Sequence, residues 1–175
     1  MNIVLIGYRG TGKSTVARLL ASQLGRPVVS LDEEVVKKAG MRIPEIIAQY
    51  GWDHFRTLES QVVEEVSEQD GLVIDAGGGV ILRERNVSLL RKHGFLVWLT
   101  APIEVIVERI STGTERPPLK QDTTFLEEIE EVLNERIPLY QAAAHTVLET
   151  AGMPPQKVVE DLLDHLQKEG HVVRK

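Results

Sequence analysis

The sequence contains no cysteine and no long hydrophobic run. None of its 175 residues is Cys, which excludes a disulfide scaffold, a thiolate metal site and a cysteine nucleophile. No apolar run approaches the roughly 18 residues that a transmembrane helix needs. We therefore expect a globular protein with no membrane partner.

Positive charge is also scarce. Lys and Arg number 20 against 26 Asp and Glu, which gives a formal net charge of −6 at pH 7. An acidic chain without a basic run is a poor candidate for binding a nucleic acid backbone. Residues 1–7 lack the basic stretch and the apolar core of a signal peptide. We expect a cytoplasmic protein without a nucleic acid partner, and its length fits one domain over residues 1–175.

Short apolar runs alternate with longer segments of helical periodicity. The runs, which are typical of buried strands, cover residues 3–6, 28–31, 72–74, 95–99 and, more weakly, 146–148. Between them, apolar residues recur at the three- and four-residue spacing of helices. The alternation predicts an α/β fold with a parallel sheet of about five strands, helices on both faces and sites at the carboxyl ends of the strands.

Residues 111–122 interrupt this alternation. They are polar, contain Gly113 and two consecutive prolines, and lie between two helical segments. A loop of this length often serves as a lid over a site, although a variable surface loop fits the composition equally well. We expect a mobile lid at about residues 111–122.

The segment from Gly7 to Thr15 matches the phosphate-binding pattern G-x-x-x-x-G-K-[ST]. An apolar strand precedes it and an amphipathic helix begins near Lys13, which is the context that the motif requires. Glycines let successive backbone N–H groups face phosphate oxygens, and the helix N-terminus adds its positive dipole end. Lys13 can reach the β- and γ-phosphates, and the Ser14 hydroxyl can bind Mg²⁺. The pattern predicts a nucleoside triphosphate site. The residues of this site are Gly10, Thr11, Gly12, Lys13, Ser14 and Thr15.

Carboxylates follow two of the predicted strands directly. Asp32 fits the N-cap of the next helix, the Mg²⁺ shell, or both. We expect one of Glu33 and Glu34 to face the cleft, where a carboxylate can accept a hydroxyl proton or hold a diol, although a solvated helix start suits either residue. Asp75 ends the third strand, and both the Mg²⁺ shell and a bond to nearby backbone remain open for it.

Arginines and glycines suggest a place for an anionic acceptor. Glu59 lies three residues after Arg56 and can orient its guanidinium toward an anion, although a surface ion pair explains the same spacing. The triplet Gly77–Gly79 follows the third strand and permits a ligand to approach the backbone closely. Arg116 on the lid can stabilise a transferring phosphoryl group. Taken singly, this arginine and Arg136 further on are better explained by solubility.

Together these residues resemble the shikimate kinases, a family within the nucleoside monophosphate kinase-like group of P-loop phosphotransferases. The phosphate loop alone fits many families, whereas the glycine triplet and the arginine-proline segments are more specific. The resemblance covers nearly the whole chain in consistent order. Its segments are Gly7–Thr15, Asp32, Phe55-Arg56 with Glu59, Gly77–Gly79, Arg116-Pro117 and Arg136-Ile137-Pro138-Leu139-Tyr140.

The resemblance implies a three-layer P-loop fold and transfer of the γ-phosphoryl of ATP to the 3-hydroxyl of shikimate, a step of aromatic amino acid biosynthesis. It also implies a monomer with ATP as co-substrate and Mg²⁺ as cofactor, the metal being held by Ser14 and Asp32. On the ATP side, the resemblance implies that adenine contacts Arg109 and Pro155 and that the phosphates contact Arg116. On the shikimate side, it implies that the carboxylate contacts Arg56 and Arg136, and that the ring hydroxyls contact Gly77, Gly78 and Gly79. Glu59 is implied to orient Arg56.

One departure from the family pattern concerns the segment after the second strand. The family usually reads Asp-x-Asp there, and its second Asp binds the shikimate hydroxyls and is the candidate base. With Asp32 at the first position, Glu34 takes the second. Glu34 is then the expected catalytic and substrate-binding carboxylate, beside the catalytic Lys13 and Arg116.

The longer glutamate side chain leaves alternatives open. Either the pocket has adjusted to Glu34, or the acceptor is another small hydroxyl compound such as gluconate or a nucleoside monophosphate. A weakly active nucleotide-binding module that regulates a partner is a third alternative, which Glu34 alone favours.

Overall fold

A computed structural model of the chain describes residues 1–111 and 124–172. Within these residues, five parallel strands alternate with helices, which confirms the predicted α/β fold. The strands are β1 Asn2–Ile6, β2 Val28–Ser30, β3 Val73–Asp75, β4 Gly94–Thr100 and β5 Thr146–Glu149. The helices are α1 Lys13–Leu24, α2 Leu31–Ala39, α3 Ile43–Ser67, α4 Glu84–His93, α5 Ile103–Ser111, α6 Phe125–Ala143 and α7 Pro155–Lys168, with a short 3₁₀ helix at Val80–Leu82.

The strand order is β2-β3-β1-β4-β5, with β1 at the centre. Every pairing is parallel, so the carboxyl ends of all five strands lie at one edge of the sheet. The register places Asp75, the last residue of β3, opposite Leu5 on β1 and opposite Ser30 on β2. Segments that follow β1, β2 and β3 therefore begin beside one another.

The central strands β1, β3 and β4 are buried on both faces, as the apolar runs predicted, whereas the edge strands β2 and β5 are partly exposed, contrary to the expectation of a buried strand at 28–31. On β1, Val4 and Ile6 pack into one cluster with α2, α3 and α4, while Ile3 and Leu5 pack into another with α1 and α7. All four side chains are fully buried. The alternation follows from the two-residue period of a strand, and it produces three layers with the sheet in the middle.

Helix α3 is broken at Gly51, which has φ +85° and ψ 170°. A residue with a side chain rarely adopts such a positive φ, so glycine is needed at this bend. The segment after the bend packs Phe55 into the core with no exposed surface. It also carries Arg56 and Glu59, so the bend sets where these two side chains lie.

Two expectations fall outside this description or need correction. The predicted lid at 111–122, with Arg116, lies outside the described residues except for Ser111 at the end of α5. Asp32 is not the N-cap of α2, because Ser30 occupies that position and its Oγ accepts a hydrogen bond from Glu33 N at 3.3 Å. Across 1–111 and 124–172, no helix has the length and apolar character of a membrane span.

Candidate active site

The phosphate loop connects β1 to α1 and is closed by its own side chains. Gly7, Gly10 and Gly12 have φ values of +143°, +80° and +91°, which favour glycine. Thr11 Oγ1 and Lys13 Nζ both donate hydrogen bonds to the carbonyl of Tyr8, at 2.8 and 2.9 Å. The ammonium of Lys13 therefore lies inside the loop, where the motif requires it.

A polar turn after β5 supports the loop from the other side. Thr150 is 4% exposed, and its Oγ1 donates to the carbonyl of Thr11 at 2.9 Å. Arg109 donates to the Gly10 carbonyl at 3.1 Å and to Thr150 Oγ1 at 3.2 Å. Sequence reasoning missed Thr150, and the available signal was a polar residue directly after an apolar strand at the edge that carries the site.

A cleft of about 510 Å³ runs from the loop to the carboxyl ends of β2 and β3. It brings most of the predicted nucleotide-side residues together. The predicted residues that line it are Gly10, Gly12, Lys13, Ser14, Thr15, Asp32, Gly77, Gly78 and Arg109. Pro155 begins α7 as an exposed residue and does not line this cleft. The adenine contacts of Arg109 and Pro155 stay predictions.

Arg56 and Glu59 form a buried ion pair rather than a surface one. Arg56 Nη1 lies 2.9 Å from Glu59 Oε2, and the two side chains are 11% and 1% exposed. The guanidinium lies so close to the backbone of Gly79 that a Cβ there would overlap it. Burying an ion pair costs desolvation, which the attraction recovers only when the geometry and the further hydrogen bonds are good. Stability alone is therefore a weak reason for this pair, which favours a functional role.

Arg136 approaches the same glycine triplet from α6. Its side chain is 7% exposed, and a Cβ on Gly78 would lie 3.6 Å from Arg136 Nη1. Two guanidinium groups thus lie beside consecutive positions of one short backbone segment, next to the phosphate loop. This arrangement concentrates positive charge where the sequence predicted an anionic acceptor.

Asp32 lies beside the glycine triplet. A Cβ on Gly77 would lie 2.9 Å from Asp32 Oδ1 and 3.1 Å from Glu59 Oε1, so both carboxylates face the Gly77 backbone. Asp32 is the second residue of α2, and its side chain points back to the edge of the sheet where β3 ends.

The placement of Glu34 in this cleft is wrong. Helix α2 begins at Leu31, and two residues of helix rotate a side chain by about 200°, so Glu34 and Asp32 point in opposite directions. Glu34 forms an ion pair with Lys37 and lines a separate surface groove with Glu65. If Asp32 takes the second position of the Asp-x-Asp pattern, Ser30 takes the first, so the first carboxylate of the pattern is missing in this chain.

Asp75 contacts the phosphate loop directly. Ser14 Oγ donates a hydrogen bond to Asp75 Oδ2 at 2.5 Å. Burial raises the pKa of the Asp75 carboxyl, against the opposing effects of the Ser14 hydrogen bond and the Lys13 charge. Within residues 1–111 and 124–172, the carboxylate is thus bonded to the side chain of Ser14, and its place in a Mg²⁺ shell stays a prediction.

Comparison with protein families decides the identity of the chain. The model of the shikimate kinase family matches residues 9–167. The chain belongs to the shikimate kinase family. A shikimate kinase of Thermodesulfovibrio yellowstonii is 38% identical over 167 residues, which cover 95% of each chain. One of Geobacter metallireducens is 40% identical over 166 residues, covering 95% of this chain and 92% of the relative.

Solved shikimate kinases share the fold over nearly the whole length. That of Acinetobacter baumannii, in complex with shikimate, has a TM-score of 0.91 and 34% identity, and the match covers 96% of this chain and 93% of the relative. The Aquifex aeolicus enzyme has a TM-score of 0.81 and 34% identity over 97% and 98% of the two chains. A gluconokinase from Sinorhizobium meliloti 1021, at a TM-score of 0.60 and 17% identity, shares the fold alone.

Tyr140, on α6, anchors the glycine triplet through a side-chain hydrogen bond. Its buried hydroxyl donates a hydrogen bond to the carbonyl of Gly78, and its ring stacks on Trp98 at a centroid distance of 5.7 Å. Burial raises the pKa of Tyr140 to about 12, against the smaller opposing effect of Arg136. The neutral phenol is thus the form that the folded protein holds.

We expect Tyr140→Phe to lower the free energy of unfolding by about 1 kcal/mol near neutral pH, through loss of the hydrogen bond to Gly78. Because the pKa is raised on folding, the contribution of the phenol is complete below pH ~10 and is lost as the pH rises toward 12. Urea unfolding at several pH values measures this. The gap between wild type and variant should narrow across that window.

Tyr50→Phe is the matched control, because Tyr50 is 52% exposed. It should leave the free energy of unfolding nearly unchanged. A gap between wild type and Tyr140→Phe that stays constant up to pH 12 would contradict the pKa assigned to the buried phenol.

Proposed function

We propose that this chain transfers the γ-phosphoryl of ATP to the 3-hydroxyl of shikimate, giving shikimate 3-phosphate and ADP. The observation that carries the proposal is the pair of buried guanidinium groups, Arg56 and Arg136, beside the glycine triplet and next to the phosphate loop. As a member of its family the chain is an ATP-dependent kinase. The solved Acinetobacter baumannii relative is in complex with shikimate.

The acceptor side suits a molecule that carries one carboxylate and a ring with several hydroxyls. Glu59 holds Arg56 by a hydrogen bond at 2.9 Å, so the planar guanidinium is oriented before an acceptor arrives. Such a fork binds a carboxylate through two parallel hydrogen bonds, and Arg136 adds a second positive charge. Asp32, beside Gly77, would accept the proton of a ring hydroxyl.

The donor side suits the triphosphate of ATP. The backbone N–H groups of the loop and the ammonium of Lys13 bind phosphate oxygens, and the N-terminus of α1 adds its dipole. Phosphoryl transfer requires mainly that the two reactants are held in line and that the developing charge is stabilised. The shared cleft between the loop and the glycine triplet provides that alignment.

The oxygen donors around the loop also fit Mg²⁺, which binds hard oxygen ligands and keeps several of its waters. The Ser14 hydroxyl and a carboxylate that lines the cleft would hold it. When bound, Mg²⁺ neutralises charge on the phosphate oxygens. In residues 1–111 and 124–172 no three His, Cys, Asp or Glu side chains form a metal cluster.

The regulatory module rested on Glu34 alone, whereas a different acceptor also rested on Arg56 and Arg136, which suit several anions. Because Glu34 lies outside the cleft, it favours neither alternative, and the choice of acceptor is left to the arginines and to the substrate test. The role of Arg116 in closing a lid, the single-domain boundary at 1–175, the cytoplasmic location and the monomeric state stay predictions.

The test of this function is ADP release by the purified protein with Mg²⁺-ATP and a set of acceptors. Shikimate should give turnover well above the rate without acceptor, while gluconate and AMP should not. Formation of shikimate 3-phosphate, followed by ³¹P NMR, identifies the product. Turnover with gluconate or AMP but not with shikimate would overturn the proposal.

We expect Arg56→Lys to raise the KM for shikimate about 10- to 100-fold and to leave the KM for ATP unchanged. Lysine keeps the charge but loses the bidentate fork, and hydrogen bonds between charged groups contribute about 1.5–3 kcal/mol. The matched control is Arg85→Lys, since Arg85 and Glu64 form an exposed pair with 70% and 49% exposed side chains. An equal rise in both KM values in Arg56→Lys would argue against carboxylate binding by Arg56.

Asp32→Asn and Glu34→Gln together test which carboxylate serves the reaction. Removing the base should lower kcat about 10²- to 10⁴-fold in Asp32→Asn. Glu34→Gln should behave like wild type, because Glu34 pairs with Lys37 outside the cleft. A larger loss in Glu34→Gln than in Asp32→Asn would show that Glu34 reaches the acceptor after all.

A further inference from the structure

We propose that Asp75, at the end of β3, supplies the carboxylate of the Mg²⁺ site in this chain, together with the hydroxyl of Ser14. The family pattern leads one to look for that carboxylate at the end of β2, where this chain has Ser30. The inference rests on the proposed function, because the metal in question is the one that accompanies ATP in the phosphate loop.

The first observation is the contact between Asp75 and the phosphate loop. Ser14 is the residue of the loop motif whose hydroxyl binds Mg²⁺ beside the nucleotide phosphates. Its Oγ lies 2.5 Å from Asp75 Oδ2, and both residues line the cleft. A carboxylate in contact with this hydroxyl is within reach of any cation that the hydroxyl binds.

The second observation is the register of the sheet. Ser30 and Asp75 are direct partners in the parallel pairing of β2 and β3. Neighbouring strands lie only about 4.8 Å apart, so a carboxylate on β3 can serve the region that one on β2 would serve. Ser30 has another role, because its Oγ accepts the hydrogen bond that caps α2.

The third observation is the division of the two cleft carboxylates between donor and acceptor. Asp32 Oδ1 lies against Gly77, where Glu59 also approaches, on the side of the buried arginines. Asp75 instead contacts Ser14 at the start of α1. Asp75 thus lies on the phosphate-binding side of the cleft, and a cation there would compensate for its partial burial.

The test measures metal binding without turnover. Mn²⁺ replaces Mg²⁺, and the loss of the free Mn²⁺ signal in electron paramagnetic resonance gives its affinity for the protein–ADP complex. ADP affinity is measured by calorimetry with EDTA present. The variants are Asp75→Asn, which can still accept the Ser14 hydrogen bond, Asp75→Ser, and the exchange Ser30→Asp with Asp75→Ser.

We expect Asp75→Asn and Asp75→Ser to lower the Mn²⁺ affinity about tenfold or more, with ADP affinity in EDTA unchanged. The exchange variant, which differs from Asp75→Ser by one carboxylate on the opposite strand, should recover much of the loss. Mn²⁺ affinity within twofold of wild type in both single variants, with a large loss in Ser14→Ala, would overturn the inference. The inference would also be overturned if both single variants bound ADP more weakly in EDTA and this weaker binding accounted for their whole loss of Mn²⁺ affinity.

This readout is separate from the proposed function. If shikimate proves inert as an acceptor, the Mn²⁺ measurement still decides the role of Asp75. If shikimate is phosphorylated while the Asp75 variants retain wild-type Mn²⁺ affinity, only the metal assignment fails.

Discussion

The site depends on three consecutive positions of backbone that carry no side chains. A Cβ at Gly79 would overlap the guanidinium of Arg56, and one at Gly77 would lie 2.9 Å from a carboxylate oxygen of Asp32. Between them, the carbonyl of Gly78 accepts a hydrogen bond from the hydroxyl of Tyr140. These side chains converge because the backbone itself forms the surface between them. A side chain at Gly77 or Gly79 would displace the carboxylate or the guanidinium that lies against it.

That convergence also concentrates charge in a poorly solvated place. Glu59 is almost completely buried, and it stands between Arg56 and the backbone next to Asp32. Desolvating an ion pair commonly costs about as much as the pair's attraction returns, so the Arg56–Glu59 pair is weak evidence for stability. Its value is better understood as orientation, since a guanidinium fixed by a buried partner loses less freedom when it binds an anion.

The sequence was sufficient for the parts of the molecule that local patterns determine. The apolar runs marked the strands, and the phosphate loop required glycines at fixed positions that the backbone angles bear out. Spacing could not show which face of α2 looks into the cleft. Placing Glu34 there assumed that Asp32 began the family pattern, whereas α2 starts at Leu31 and turns Glu34 away. The pairing of Asp75 with Ser14 depends on strand register, which no local pattern contains.

The direct pairing of Ser30 with Asp75 has a consequence for how such sites change over time. In a parallel sheet, residues that are far apart in the chain stand side by side at the same level of neighbouring strands. A functional group can therefore pass from one strand to the next while its location in space hardly changes. Position-by-position alignment would record such an exchange as one loss and one unrelated gain. The edge of the sheet, rather than the alignment column, is then the unit in which the chemistry is preserved.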